Sequence, residues 1–148
     1  VVLISPWVSF SSTSESFTTN KRSDVFSEKA GAKSAEAFLG YEEKRGDNYT
    51  GPLNAERGWW EGLMVEKVCV VMGLDEMMLG GLREFVERFN DGFGERGVSV
   101  LELKGTCHVS VNIEPMFGYG RGGDGEGGGG VGERTVVRRR RGFVDLLN

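Results

Sequence analysis

The sequence predicts an α/β fold: a parallel sheet with helices on its faces. Three stretches carry that prediction. Residues 65–72, Val-Glu-Lys-Val-Cys-Val-Val-Met, are apolar and β-branched, and Gly73 stops the run. Leu82, Phe85, Val86, Phe89 and Phe93 then recur at helical spacing with Arg83, Glu84, Glu87 and Arg88 between them, an amphipathic helix of about four turns. Residues 98–103, Val-Ser-Val-Leu-Glu-Leu, alternate as a strand does. Strand, helix, strand is a βαβ unit, and its crossover makes the two strands parallel.

The remaining elements follow in chain order. Val1-Val2-Leu3-Ile4 is a short apolar run that Ser5-Pro6 ends, because proline donates nothing to a ladder; it reads as a buried strand end. Residues 9–20 are rich in Ser and Thr and read as loop. Residues 24–30 and 34–39 read as two short helices with Gly31 between them and Gly40 as the C-cap of the second. Residues 42–57 form a polar, turn-rich connection around Pro52. Residues 118–132 are mostly glycine, too costly in conformational entropy to order, and read as a flexible segment. Residues 133–148 read as a basic helix, with Val136, Val137, Phe143, Val144 and Leu147 on its apolar side. The organisation predicted is therefore a domain over 1–117, a Gly-rich segment over 118–132 and a C-terminal helix over 133–148.

Composition narrows the function. At 148 residues there is room for one domain, and the net charge of −4 gives no prior for nucleic acid. The four arginines Arg138 to Arg141 read as a solvated face; a nucleic acid is not favoured as partner, and an anionic membrane surface is the weaker use of that run. Two cysteines, Cys69 and Cys107, do not make a disulfide scaffold and lean toward an intracellular chain. One histidine and two cysteines do not make a zinc site, so no metal is expected. No apolar stretch is long enough to cross a bilayer, and the start is not a signal peptide. The chain opens on Val1 rather than Met, which looks like the inside of a larger protein.

In a parallel sheet the working residues lie beyond the carboxyl ends of the strands. Asp75 stands just past the first strand of the βαβ unit, and His108, the single histidine, just past the second. A carboxylate that fixes one ring nitrogen leaves the other free to act as a general base. The alternative is that Asp75 is a turn residue and His108 surface decoration. A nucleophile is missing: no Gly-x-Ser-x-Gly elbow occurs, and no His-Gly-Gly-Gly oxyanion loop. Cys107 adjoins His108, but neighbours in an extended segment point to opposite sides. Cys69 reads as a small core residue, and Trp59-Trp60 as buried packing.

With those residues in hand, the chain resembles the C-terminal part of an α/β-hydrolase of the hormone-sensitive-lipase-like branch, and within it is similar to fungal steryl acetyl hydrolases. The stretches that carry the resemblance are LISPWVSF (3–10), SFTTNKRSDVFS (16–27), GPLNAERGWWEGL (51–63), VEKVCVVMGLDEMM (65–78), LREFVERF (82–89) and KGTCHVS (104–110). Met77-Met78-Leu79-Gly80-Gly81 depart from the charged segment usual after the acid, and Val109 stands where Gly or Asp is commoner. The resemblance implies Asp75 as triad acid, Glu76 as the acid if the alignment slips by one, and His108 as triad base. It implies a partial hydrolase sheet lacking its first strands and the nucleophile elbow. It implies ester hydrolysis without a cofactor on a small-molecule ester, with removal of acetyl groups from a lipophilic alcohol as one form. The stretch from Leu3 to Trp7 would flank the acyl or alcohol pocket. Since the family's order is Ser, acid, His, the serine and the oxyanion loop are expected before Val1. The chain alone would then hold two triad members and be inactive. The other reading is a truncated relic or binding module without catalysis.

Overall fold

The computed structural model describes residues 1–40, 46–94 and 97–113, and the backbone of 136–139. The element order is β1 (Val2–Ile4), α1 (Ser16–Thr19), α2 (Glu28–Leu39), 3-10 turns at Pro52–Asn54 and Arg57–Trp60, β2 (Val68–Gly73), α3 (Leu79–Phe93), β3 (Val98–Leu103), α4 (Ser110–Ile113) and β4 (Val136–Arg139). The four strands form one sheet in the order β1-β2-β3-β4. The first three are parallel, with Val2 opposite Cys69 and Val70 opposite Val100. β4 runs antiparallel to β3.

Burial explains the strand sequences. Every residue of β2 is buried, as a continuous apolar run requires of a strand covered on both faces. β3 alternates instead, burying Val98, Val100 and Glu102. α3 turns Leu79, Leu82, Phe85, Val86, Phe89 and Phe93 into the core against Val68, Val70, Met72, Val98 and Val100. Glu102 is the charged member of this face, and Arg83 reaches it from α3 with its Nε 2.9 Å from Oε1. That partner matters, since a buried carboxylate left alone is strongly destabilising.

Trp60 packs edge-on against Phe85 and Phe89 at centroid separations of 5.7 and 4.9 Å, the packing role read from the sequence. The approach depends on Gly92, where a Cβ would stand 2.1 Å from the Arg57 carbonyl oxygen. Cys69 is buried within β2.

Two sequence readings need correction. α2 is one helix running through Gly31, not two helices broken at it. Gly31 is there for space: a Cβ would lie 2.5 Å from the tip of the Phe26 ring. Ser27 caps the helix by accepting from the Ala30 N–H, and Gly40 ends it at φ 87°. In the 133–148 segment, residues Val136–Arg139 form strand β4 rather than helix. Two consecutive valines favour an extended backbone, and the outer edge of β3 offers it a ladder. The rest of that segment and the Gly-rich segment 118–132 lie outside the described residues.

A candidate acid–base site at the carboxyl edge of the sheet

β1, β2 and β3 are parallel neighbours, so the loops that follow them emerge at one edge. The loops after β2 and β3 touch through their backbones. Leu74 N–H donates to the Leu103 carbonyl and Asp75 N–H to the Thr106 carbonyl, at 2.9 and 3.0 Å. Gly73 permits this: its Cβ position is 2.1 Å from the Thr106 carbonyl oxygen. The Thr106 hydroxyl donates to the Leu103 carbonyl at 2.7 Å, which tightens the turn that leads to His108.

The carboxylate that this arrangement sets against His108 belongs to Glu76. Its Oε2 lies 3.3 Å from His108 Nδ1. The Glu76 side chain is fully buried, and that of His108 is 17% exposed. Oε1 of Glu76 accepts from the Ser5 hydroxyl at 2.7 Å and from the Gly73 N–H. Because a carboxylate accepts and does not donate, the contact fits the tautomer that carries its proton on Nδ1. The lone pair is thereby left on Nε2, the arrangement a general base needs.

Asp75, which the position past the strand singled out, uses its backbone: its N–H donates to Thr106 and its carbonyl accepts from Ser23. Among the described residues its side chain has no hydrogen-bond partner. The two acids are adjacent in sequence, but Glu76 faces inward while Asp75 stays partly exposed. Cys107 turns to Ser110, whose hydroxyl lies 3.0 Å from its Sγ.

Three polar residues that the sequence pattern did not mark complete the surroundings. Ser5 accepts from the Val109 N–H at 3.2 Å while donating to Glu76. Ser5 and Val109 have φ of 43° and 49°, left-handed conformations that are costly without glycine, and such strain gathers at functional sites. The Asp24 carboxylate accepts from the N–H groups of Met77, His108 and Phe26 at 2.7, 2.9 and 3.2 Å. Asn20 Nδ2 donates to the carbonyls of Leu74 and Glu76 at 2.9 and 2.8 Å. Only the Ser, Asn and Asp residue types signal these roles in sequence, and those types also mark ordinary turns.

Phe26 covers the imidazole, with ring centroids 5.4 Å apart. The same ring meets Trp7 at 5.6 Å, and Trp7 meets Phe10 at 5.3 Å. These aromatics, with Phe17 and Met78, line a cleft of about 110 Å³. Among the described residues there is no group of three or more potential metal ligands. No helix of the described residues is long and apolar enough to cross a membrane.

Comparison with solved structures finds the same fold. An esterase from the bacterial hormone-sensitive lipase family superposes with a TM-score of 0.63 at 23% identity, over 78% of this chain and 36% of that one. An esterase/lipase from an uncultured bacterium gives 0.62 at 20% identity, over 78% and 36%. EstE5 soaked with ethyl alcohol gives 0.63 at 21% identity, over the same shares. The chain has part of an α/β-hydrolase fold. It spans about a third of the length of these hydrolase structures. No family model and no curated protein matches the sequence. The parallel strands, their flanking helices and the partial extent of the hydrolase sheet are those that the sequence predicts.

Proposed function

We propose that this chain supplies the acid and base of a carboxylic-ester hydrolase, with Glu76 as the acid and His108 as the base. The observation that carries the reading is the buried Glu76 carboxylate on His108 Nδ1 at 3.3 Å. In the reaction, His108 Nε2 takes the proton of a serine hydroxyl as its oxygen attacks the ester carbonyl. The imidazolium so formed faces Glu76, which stabilises it, and returns the proton to the departing alcohol. Water then repeats the sequence on the acyl-enzyme. The serine belongs to the part of the hydrolase fold that this chain does not contain.

Within this reading the substrate is an ester of a lipophilic alcohol, with acetyl as the acyl group. The aromatic cleft of Trp7, Phe10, Phe17 and Phe26 supports an apolar partner, and its size suits a small group.

The test joins the chain to its own upstream coding sequence, read for a Gly-x-Ser-x-Gly stretch, and follows hydrolysis of p-nitrophenyl acetate. Turnover by the extended protein should fall by roughly 10³-fold or more in His108→Ala and in Glu76→Ala. Equal turnover in His108→Ala would overturn the reading.

A further inference from the structure

We infer that Asp24 is a positioning residue for the Glu76–His108 pair, an inference that rests on the acid–base reading above. Its two carboxylate oxygens serve two different loops. Oδ2 accepts from Met77 N–H, the residue next to Glu76 on the loop after β2, at 2.7 Å. Oδ1 accepts from the backbone N–H of His108 itself, on the loop after β3, at 2.9 Å. Asp24 thus measures the gap between the two loops across which carboxylate and imidazole meet. Oδ1 also accepts from Phe26 N–H at 3.2 Å, and the Phe26 ring covers the imidazole.

The chemistry of the clamp is specific to a carboxylate. It must accept at both oxygens, as a carboxylate does and an amide cannot. Charge-assisted bonds from N–H to carboxylate are shorter and about twice as strong as neutral ones. An amide in its place has one acceptor oxygen, and its NH₂ would confront a backbone N–H. One of the two loops would then be released.

The chain contains a single histidine, so imidazole ¹⁵N resonances report on His108 alone. The experiment uses the full ¹⁵N-labelled chain at a pH where the ring is neutral and measures the ratio of Nδ1–H to Nε2–H tautomers. The unmodified chain should show Nδ1–H as the major form. Asp24→Asn and Asp24→Ser should both lose that preference and move to the ratio of a free imidazole, with the fold retained by circular dichroism. A folded variant at either position that keeps the native tautomer ratio would overturn the inference. Independently of whether the variants fold, scalar couplings across the hydrogen bonds should link Asp24 Cγ to the amides of both Met77 and His108 in the unmodified chain, and absence of both would also overturn it. Glu76→Gln separates the two levels of argument. If the unmodified chain shows no Nδ1–H preference, the acid–base pair itself falls. If it does, and only Glu76→Gln abolishes it, Asp24 alone falls.

Discussion

Ser5 and Val109, 104 residues apart, are joined by a hydrogen bond from the Val109 N–H to the Ser5 hydroxyl, and both hold left-handed backbones. The same hydroxyl donates to Glu76. The loop after β1 therefore touches Glu76 and the residue that follows His108 through one oxygen atom.

The buried end of Glu76 holds three donors, so its removal is costly. Glu76→Ala leaves the Ser5 hydroxyl and the Gly73 N–H without their acceptor, each an unsatisfied group worth about 1–3 kcal/mol. A loss of roughly 2–4 kcal/mol is expected, read as a lower urea midpoint with unchanged slope. Asp75→Ala, whose side chain has no hydrogen-bond partner among the described residues, should shift the midpoint by less than about 0.5 kcal/mol equivalent.

Gly73→Ala tests the closeness of the two loops. Its Cβ would lie 2.1 Å from a backbone carbonyl oxygen, which cannot swing aside as a side chain can. The loops must separate, at a cost of about 1–3 kcal/mol. Hydrogen exchange should then speed up at the Asp75 amide, whose acceptor is the same Thr106 carbonyl.

Leu82→Ala probes the helix that spaces the two loops. Leu82 is completely buried between α3 and the sheet. Truncation there should cost about 2–5 kcal/mol in denaturant unfolding, whereas Glu87→Ala on the exposed side should cost almost nothing.

Burial raises the pKa of the Cys69 thiol above its ordinary value. Its thiolate is therefore scarcer at a given pH than that of a free cysteine, and alkylation should reach the partly exposed Cys107 first. Peptide mapping after brief iodoacetamide treatment checks the order. The sign for stability follows from linkage: the unfolded thiol releases its proton at a lower pH than the folded one. The contribution of Cys69 is complete below the unfolded value and declines as pH rises from there through the folded value.

Much of the scaffold was legible because it rests on periodicity. The apolar run before Gly73, the 3-4 spacing from Leu82 to Phe93 and the alternation from Val98 identify β2, α3 and β3 directly. What escaped depends on contacts between distant residues. The choice between Asp75 and Glu76 turns on how one loop bends, which spacing does not encode. Gly31 looks like a helix breaker until Phe26 is seen lying against it. Asp24 looks like a helix start, and its three N–H partners include Met77 and His108, 53 and 84 positions away. β4 carries only four residues of pattern, beside an arginine run that suggested a solvated helix face.

Glu76 and His108 are only 32 positions apart, joined through α3 and β3, whereas the Ser5–Val109 tie spans 104. Closing the longer loop costs about 1 kcal/mol more chain entropy than closing the shorter. The proposed acid–base couple thus closes the shorter of the two loops, and the N-terminal strand braces it through the longer one.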